Sequence, residues 1–151
     1  MEHWPSDMEL IKRAMDAREQ AYAPYSAFLV GAAVLFDSGR VYTGCNVENA
    51  SYGASNCAER TAIFAAVAAG ELASGAAIRK VVVVGGKKGE NLDFCPPCGI
   101  CLQVISEFAR SNTICEVVLA KMEWMQGRYR EIERKSEPFT AFLPKGFSLN
   151  R

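Results

Sequence analysis

The chain has 151 residues, with 17 basic and 17 acidic side chains, six cysteines and one histidine. At that length one core buries roughly 70% of the surface that the unfolded chain exposes, so residues 1–151 are expected to form a single domain. Half the residues are apolar and the formal net charge is zero, which excludes a disordered chain and offers no basic surface to nucleic acid, favouring a small-molecule partner. No apolar run approaches the roughly 20 residues that cross a bilayer, so no membrane partner is expected. Met1 to Asp7 lacks the basic, apolar, small-residue succession of a signal peptide, and a reducing, cytoplasmic address is expected. The one histidine, His3, stands too near the start to serve a Ser-His-Asp or Cys-His mechanism. Chemistry falls to sulfur and carboxylate.

Ser6-Asp7-Met8-Glu9 has the form of a capping box, and Met8, Ile11, Met15 and Tyr22 follow helical spacing until Pro24. Phe28–Phe36 is an apolar run of strand length, Asp37-Ser38-Gly39 is turn chemistry, and residues 40–44 read as the returning strand of a hairpin. Residues 46–56 have loop composition. Residues 57–69 are alanine-rich and proline-free, which predicts a helix stopped at Gly70. The four valines 81–84 predict a central strand covered on both faces, and 98–110 a second buried helix. Residues 114–120 and 129–133 read as strands joined through Gln126-Gly127, and Ser136-Glu137-Pro138 as the opening of a short last helix. The order α, β, β, α, β, α, β, β, α predicts a mixed sheet covered by helices.

Two cysteine clusters stand out, Cys57-Ala58-Glu59-Arg60 and Cys95-Pro96-Pro97-Cys98-Gly99-Ile100-Cys101. Cys98 and Cys101, three apart at a helix start, share one face of its first turn, and Cys57 opens another helix. Three thiolates on one Zn²⁺ leave a fourth tetrahedral position open, the mark of a catalytic site. Two alternatives stand beside this: a Cys-x-x-Cys redox pair, which assigns no role to Cys57, and a structural four-cysteine site completed by Cys95 or Cys45. Prolines 96 and 97 restrict how Cys95 and Cys98 turn inward together. Cys45, Cys95 and Cys115 are read as packing residues. With Asn56 as N-cap, Glu59 falls at N3, where it either caps the helix or shuttles protons beside the metal. Arg60 either forms a surface ion pair or offsets the excess negative charge of three thiolates.

Cys57-Ala58-Glu59 with Pro97-Cys98-Gly99-Ile100-Cys101 resembles the signature of zinc nucleobase deaminases, in which the glutamate is general acid/base and not a ligand. Together with residues 25–33, 44–52, Gln103-Val104 and Glu107-Phe108, it is similar to the small, all-cysteine, homotetrameric cytidine deaminases, over about residues 24–144. The resemblance implies a three-layer α/β/α fold with a mixed five-stranded sheet and helices on both faces. It also implies one Zn²⁺ per subunit on Cys57, Cys98 and Cys101, with Glu59 as proton shuttle. The activity implied is hydrolytic deamination of cytidine and deoxycytidine, with release of ammonia, in pyrimidine salvage. Asn46 and Glu48 would bind the ribose 3′-hydroxyl, Phe28 would pack on the pyrimidine, the Ala58 N–H would hold O2, and a main-chain carbonyl near Pro96 would accept from the amino group. Tyr52 and Phe147 would reach a neighbouring subunit's site in a homotetramer. Leu29, Pro96, Leu102 and Phe147-Ser148-Leu149 depart from the usual pattern without touching a ligand or the shuttle. Deamination of blasticidin S, whose deaminases lack the Glu48 to Tyr52 continuation, and a non-catalytic zinc module are the alternatives.

Overall fold

The capping box is formed. Ser6 Oγ accepts from Glu9 N (3.2 Å), and Glu9 Oε2 accepts from Ser6 N (3.0 Å). These bonds start α1, Asp7–Arg18, in a computed structural model that describes residues 4–109 and 114–149. His3 and position 110 lie outside the described residues. α1 differs from the sequence expectation in face and length: its buried stripe is Leu10, Ile11, Ala14 and Arg18, while Met8 is 65% exposed. The reason is a close approach. A Cβ on Gly31 would stand 1.9 Å from the Ala14 carbonyl oxygen, so only glycine lets this edge of the helix sit on the sheet. Tyr22 lies beyond the helix, where its N–H and C=O pair with Asn46 and Glu48.

β1 (Phe28–Phe36) and β2 (Val41–Cys45) form the expected hairpin. β3 (Ile78–Lys87) runs antiparallel to β1 and parallel to β4 (Glu116–Met125), which pairs antiparallel with β5 (Arg128–Pro138). The strand order is β2-β1-β3-β4-β5, a mixed five-stranded sheet with β3 at its centre. The β4-β5 turn is Gln126-Gly127 with φ of 50° and 79°, the primed geometry that matches strand twist. Both strands outrun their predicted ends. Pairing continues to Glu116↔Pro138, so the expected last helix is a strand end followed by a single 3-10 turn, Phe139–Ala141. Strand pairing and the burial of Phe139, whose N–H bonds the Cys115 carbonyl at 2.7 Å, override the local helix signal.

The valines divide between two cores. Val82 and Val84 pack with Leu10, Ile11 and Ala14 under α1; Val81 and Val83 pack with Ala62, Ile63 and Ile105 under α2 (Ala58–Ala68) and α3 (Gly99–Phe108). The result is three layers, α/β/α, with the two cysteine-bearing helices on one face. α2 ends in a Schellman motif: Gly70 N bonds Val67 O (3.0 Å) and Glu71 N bonds Ala66 O (3.1 Å). Its start is seated by Gly44, where a Cβ would lie 2.5 Å from both the Ala58 oxygen and the Ala62 nitrogen.

Candidate active site

Cys57 is the N-cap of α2 and Cys98 the N-cap of α3, with Cys101 in the first turn of α3. Two helix N-termini on the same side of the sheet thus bring three sulfurs together. Cys57 Sγ and Cys98 Sγ are 3.8 Å apart, and all three lie within 4.8 Å of one another. That is too far for a disulfide, whose sulfurs stand about 2.05 Å apart. A tetrahedral zinc with bonds of about 2.3 Å requires sulfurs about 3.8 Å apart. The donor set therefore fits one Zn²⁺. Among the described residues the cluster holds Cys57, Cys98 and Cys101 and leaves out Cys95, so a four-sulfur site using it is not formed. Cys45 sits at the end of β2, and Cys115 is fully buried. Cys95 lines the cleft beside Pro96, and burial, followed by the charge of Glu59, pushes its thiol up to about 11.

Sequence reasoning placed the helix cap one residue early. Asn56 pairs its backbone with Val47 and donates its side-chain amide to Thr61 Oγ1 (3.2 Å), so Cys57 takes the cap and Glu59 falls at N2. The capping box that would have explained Glu59 is absent. Glu59 is 3% exposed and lines the cleft. Burial, reinforced by the nearby Cys57 thiolate, raises its pKa, the direction that lets a carboxyl hold a proton.

Arg60 is turned to the sulfurs, with Nη2 3.3 Å from Cys57 Sγ. The Cys101 hydrogen bond and then the guanidinium lower the Cys57 thiol to about 5, while Cys101, donating to Cys57 and buried, is shifted upward. Burial works against the Arg60 charge, but its bonds to Cys57 and Cys101 outweigh burial and raise its pKa. The helix N-termini act in the same sense on the thiolates.

The cleft holds about 460 Å³ and is lined by Cys57 and Cys98, by Ala58, Glu59, Pro96 and Ile100, and by Asn46, Glu48 and Tyr52. Phe28 is not among the lining residues but stands near one of them: a Cβ on Gly85 would lie 3.2 Å from the Phe28 ring and 3.0 Å from Sγ of Cys95, which lines the cleft. Asn46 Oδ1 accepts from Val30 N and its Nδ2 donates to the Phe28 carbonyl, both at 2.8 Å. Glu48 Oε1 accepts from the N–H groups of Tyr25 (3.0 Å) and Ser26 (3.2 Å), and Oε2 accepts from the Ser26 hydroxyl. The Ser26 hydroxyl is the main cause holding Glu48 below its ordinary pKa. Phe147 lines a separate cavity with Leu72, Ser106 and Phe108, and its carbonyl accepts from Gln103 (2.8 Å).

Sequence reasoning missed Ser26 and Arg18. A serine two residues before the first strand position is the signal of a side-chain turn. Arg18, four residues beyond Ala14 on the buried stripe, is wholly buried and donates to the carbonyls of Leu29 (3.1 Å) and Gly86 (2.6 Å).

Three sulfurs with room for one further ligand, a buried carboxyl beside them and an open cleft define a zinc-dependent hydrolase on an α/β/α scaffold. The sequence model described as cytidine and deoxycytidylate deaminase zinc-binding region matches residues 5–117. A cytidine deaminase of Halalkalibacterium halodurans is 46% identical over 82% of this chain and 83% of its own length. Crystal structures of cytidine deaminases from Burkholderia pseudomallei and Mycobacterium tuberculosis superpose with TM-scores of 0.70 and 0.68, at 44% and 34% identity. They cover 95% and 96% of this chain and, in both cases, 100% of their own. The chain belongs to the cytidine and deoxycytidylate deaminase family.

Proposed function

We propose that residues 1–151 form one domain that converts cytidine and deoxycytidine, with water, to uridine and deoxyuridine plus ammonia. The observation that carries the reading is the buried Glu59 in the wall of a cleft that Cys57 and Cys98 also line, where their sulfurs meet that of the fully buried Cys101. Those sulfurs would hold one Zn²⁺ per subunit, which when bound lowers the pKa of water toward about 7. Glu59 takes the proton released by the attacking water and delivers it to ring N3, making C4 electrophilic. It then carries a second proton to the departing amino group as the C4–N bond breaks and the C4 carbonyl forms. Arg60 restrains the negative charge of the thiolates, which would otherwise weaken the ion as a Lewis acid.

In the same cleft, the second Nδ2 hydrogen of Asn46 donates to the ribose 3′-oxygen, and Glu48 accepts a hydrogen bond from that hydroxyl. Phe28 packs on the pyrimidine, the Ala58 N–H at the start of α2 holds O2, and a main-chain carbonyl near Pro96 receives the amino group. Tyr52, Phe64, Val67, Ile100 and Phe147 are all exposed apolar side chains; their exposure supports a homotetramer in which Tyr52 and Phe147 complete a neighbour's site. Among the described residues no helix is long and apolar enough to cross a membrane, and unpaired thiols suit a reducing cytoplasm. Glu59→Gln tests the reading: zinc stays at one per chain while turnover of cytidine falls by about 10²- to 10⁴-fold. Near-normal turnover in that variant refutes it.

A further inference from the structure

We infer that Ser26 is a positioning residue for nucleoside binding, its hydroxyl joining the carboxylate that receives the sugar to the backbone that presents the ring against the base. The inference rests on the deaminase reading above. It begins with capacity. An ionised carboxylate accepts at about four lone-pair sites. Glu48 uses two of them, on Oε1, for the N–H groups of Tyr25 and Ser26, and one, on Oε2, for the Ser26 hydroxyl. One acceptor site on Oε2 is left for a sugar hydroxyl, and the Ser26 bond sets its direction.

The same Ser26 oxygen accepts from Phe28 N at 3.0 Å. The Phe28 carbonyl is taken by Asn46 Nδ2 at 2.8 Å. Both polar groups of this residue's main chain are thus tied to the two side chains that face the sugar, one directly and one through Ser26. Between them Ala27 sits at φ 57°, a left-handed conformation that a non-glycine residue holds only when its neighbours determine it. A sugar hydroxyl seated on Asn46 and Glu48 therefore tightens the bonds that hold Phe28 in place. Without the Ser26 hydroxyl, Glu48 keeps its Oε1 bonds, while Oε2 turns freely and Phe28 N loses its acceptor.

The test compares wild type with Ser26→Ala and Ser26→Thr in steady-state turnover of cytidine and 3′-deoxycytidine. Ser26→Ala raises the cytidine KM roughly tenfold with kcat within about twofold, as loss of a charge-assisted bond made in both ground and transition states demands. The KM preference for cytidine over 3′-deoxycytidine shrinks in that variant, and Ser26→Thr, which keeps the hydroxyl, restores both values. An unchanged KM in Ser26→Ala, or a Thr variant no better than Ala, overturns the inference. In the wild type, saturating uridine slows hydrogen exchange at the Phe28 amide; unaltered exchange also overturns it, whatever the variants' folding. A wild-type protein without cytidine turnover refutes the parent reading instead.

Discussion

Gly44→Ala is a test of how the fold sets the chemistry, because the residue is neither one of the sulfur donors nor among those lining the cleft. The added Cβ would stand 2.5 Å from the Ala58 oxygen and the Ala62 nitrogen, whereas ordinary contact begins at 3.4 Å. Both close atoms are backbone, so a side-chain rotation cannot relieve them. The first turn of α2 must then move outward by about 0.9 Å, and Cys57, Ala58 and Glu59 travel with it while Cys98 and Cys101 stay on α3. Overpacking of this kind costs about 1–3 kcal/mol of stability, and a displacement near 1 Å of reacting groups can cost about 10²-fold in rate. The expected result is a folded protein with kcat/KM on cytidine lowered by about two orders of magnitude and weaker zinc retention against a chelator. The assay follows the absorbance change of cytidine conversion, with zinc content and thermal unfolding measured on the same preparation. Wild-type kcat/KM and wild-type zinc retention in Gly44→Ala would refute the claim that this contact seats the site.

Two further outcomes follow from the electrostatics. In metal-free protein the Cys57 thiol titrates near 5, below the ordinary range of about 8.5. Its thiolate is therefore fully formed at pH 7 and is lost only as pH falls through about 5, so its alkylation rate stays nearly flat between pH 7 and 6, where an ordinary thiol slows about tenfold. A tenfold fall at Cys57 would contradict the Cys101 and Arg60 arrangement. Arg18→Ala removes a fully buried guanidinium and leaves the Leu29 and Gly86 carbonyls without their donor; a loss of about 3 kcal/mol, seen as a thermal midpoint lower by about 6–12 °C, is expected. A midpoint within about 2 °C of wild type would show that α1 does not depend on it.

The features legible in the sequence are those decided locally. The capping box at Ser6, the Gln126-Gly127 turn and the stop at Gly70 each depend on a few adjacent residues, and each is found where the sequence places it. Cys98 and Cys101 are legible because helical spacing fixes them on one face, and Cys57 because its Ala-Glu context repeats a known pattern. What was not legible is decided by distant partners. The face of α1 is chosen by Gly31, the cap of α2 by the pairing of Asn56 with Val47, and the length of β5 by its register against β4. Arg18 was invisible because a charged residue in an amphipathic helix is ordinarily solvated; its burial follows only once β1 and β3 stand beside α1.

The sulfur triangle joins points 41 positions apart, Cys57 and Cys98. An ion held there closes that length of chain into a loop, which acts on the unfolded ensemble as a covalent cross-link does, by about 4 kcal/mol for a loop of this size. Everything between the joined points belongs to one circuit: α2, the central strand β3 and the cleft wall at Cys95 and Pro96. Fold and turnover therefore draw on a single ion, and a chelator strong enough to silence the enzyme also removes its longest staple.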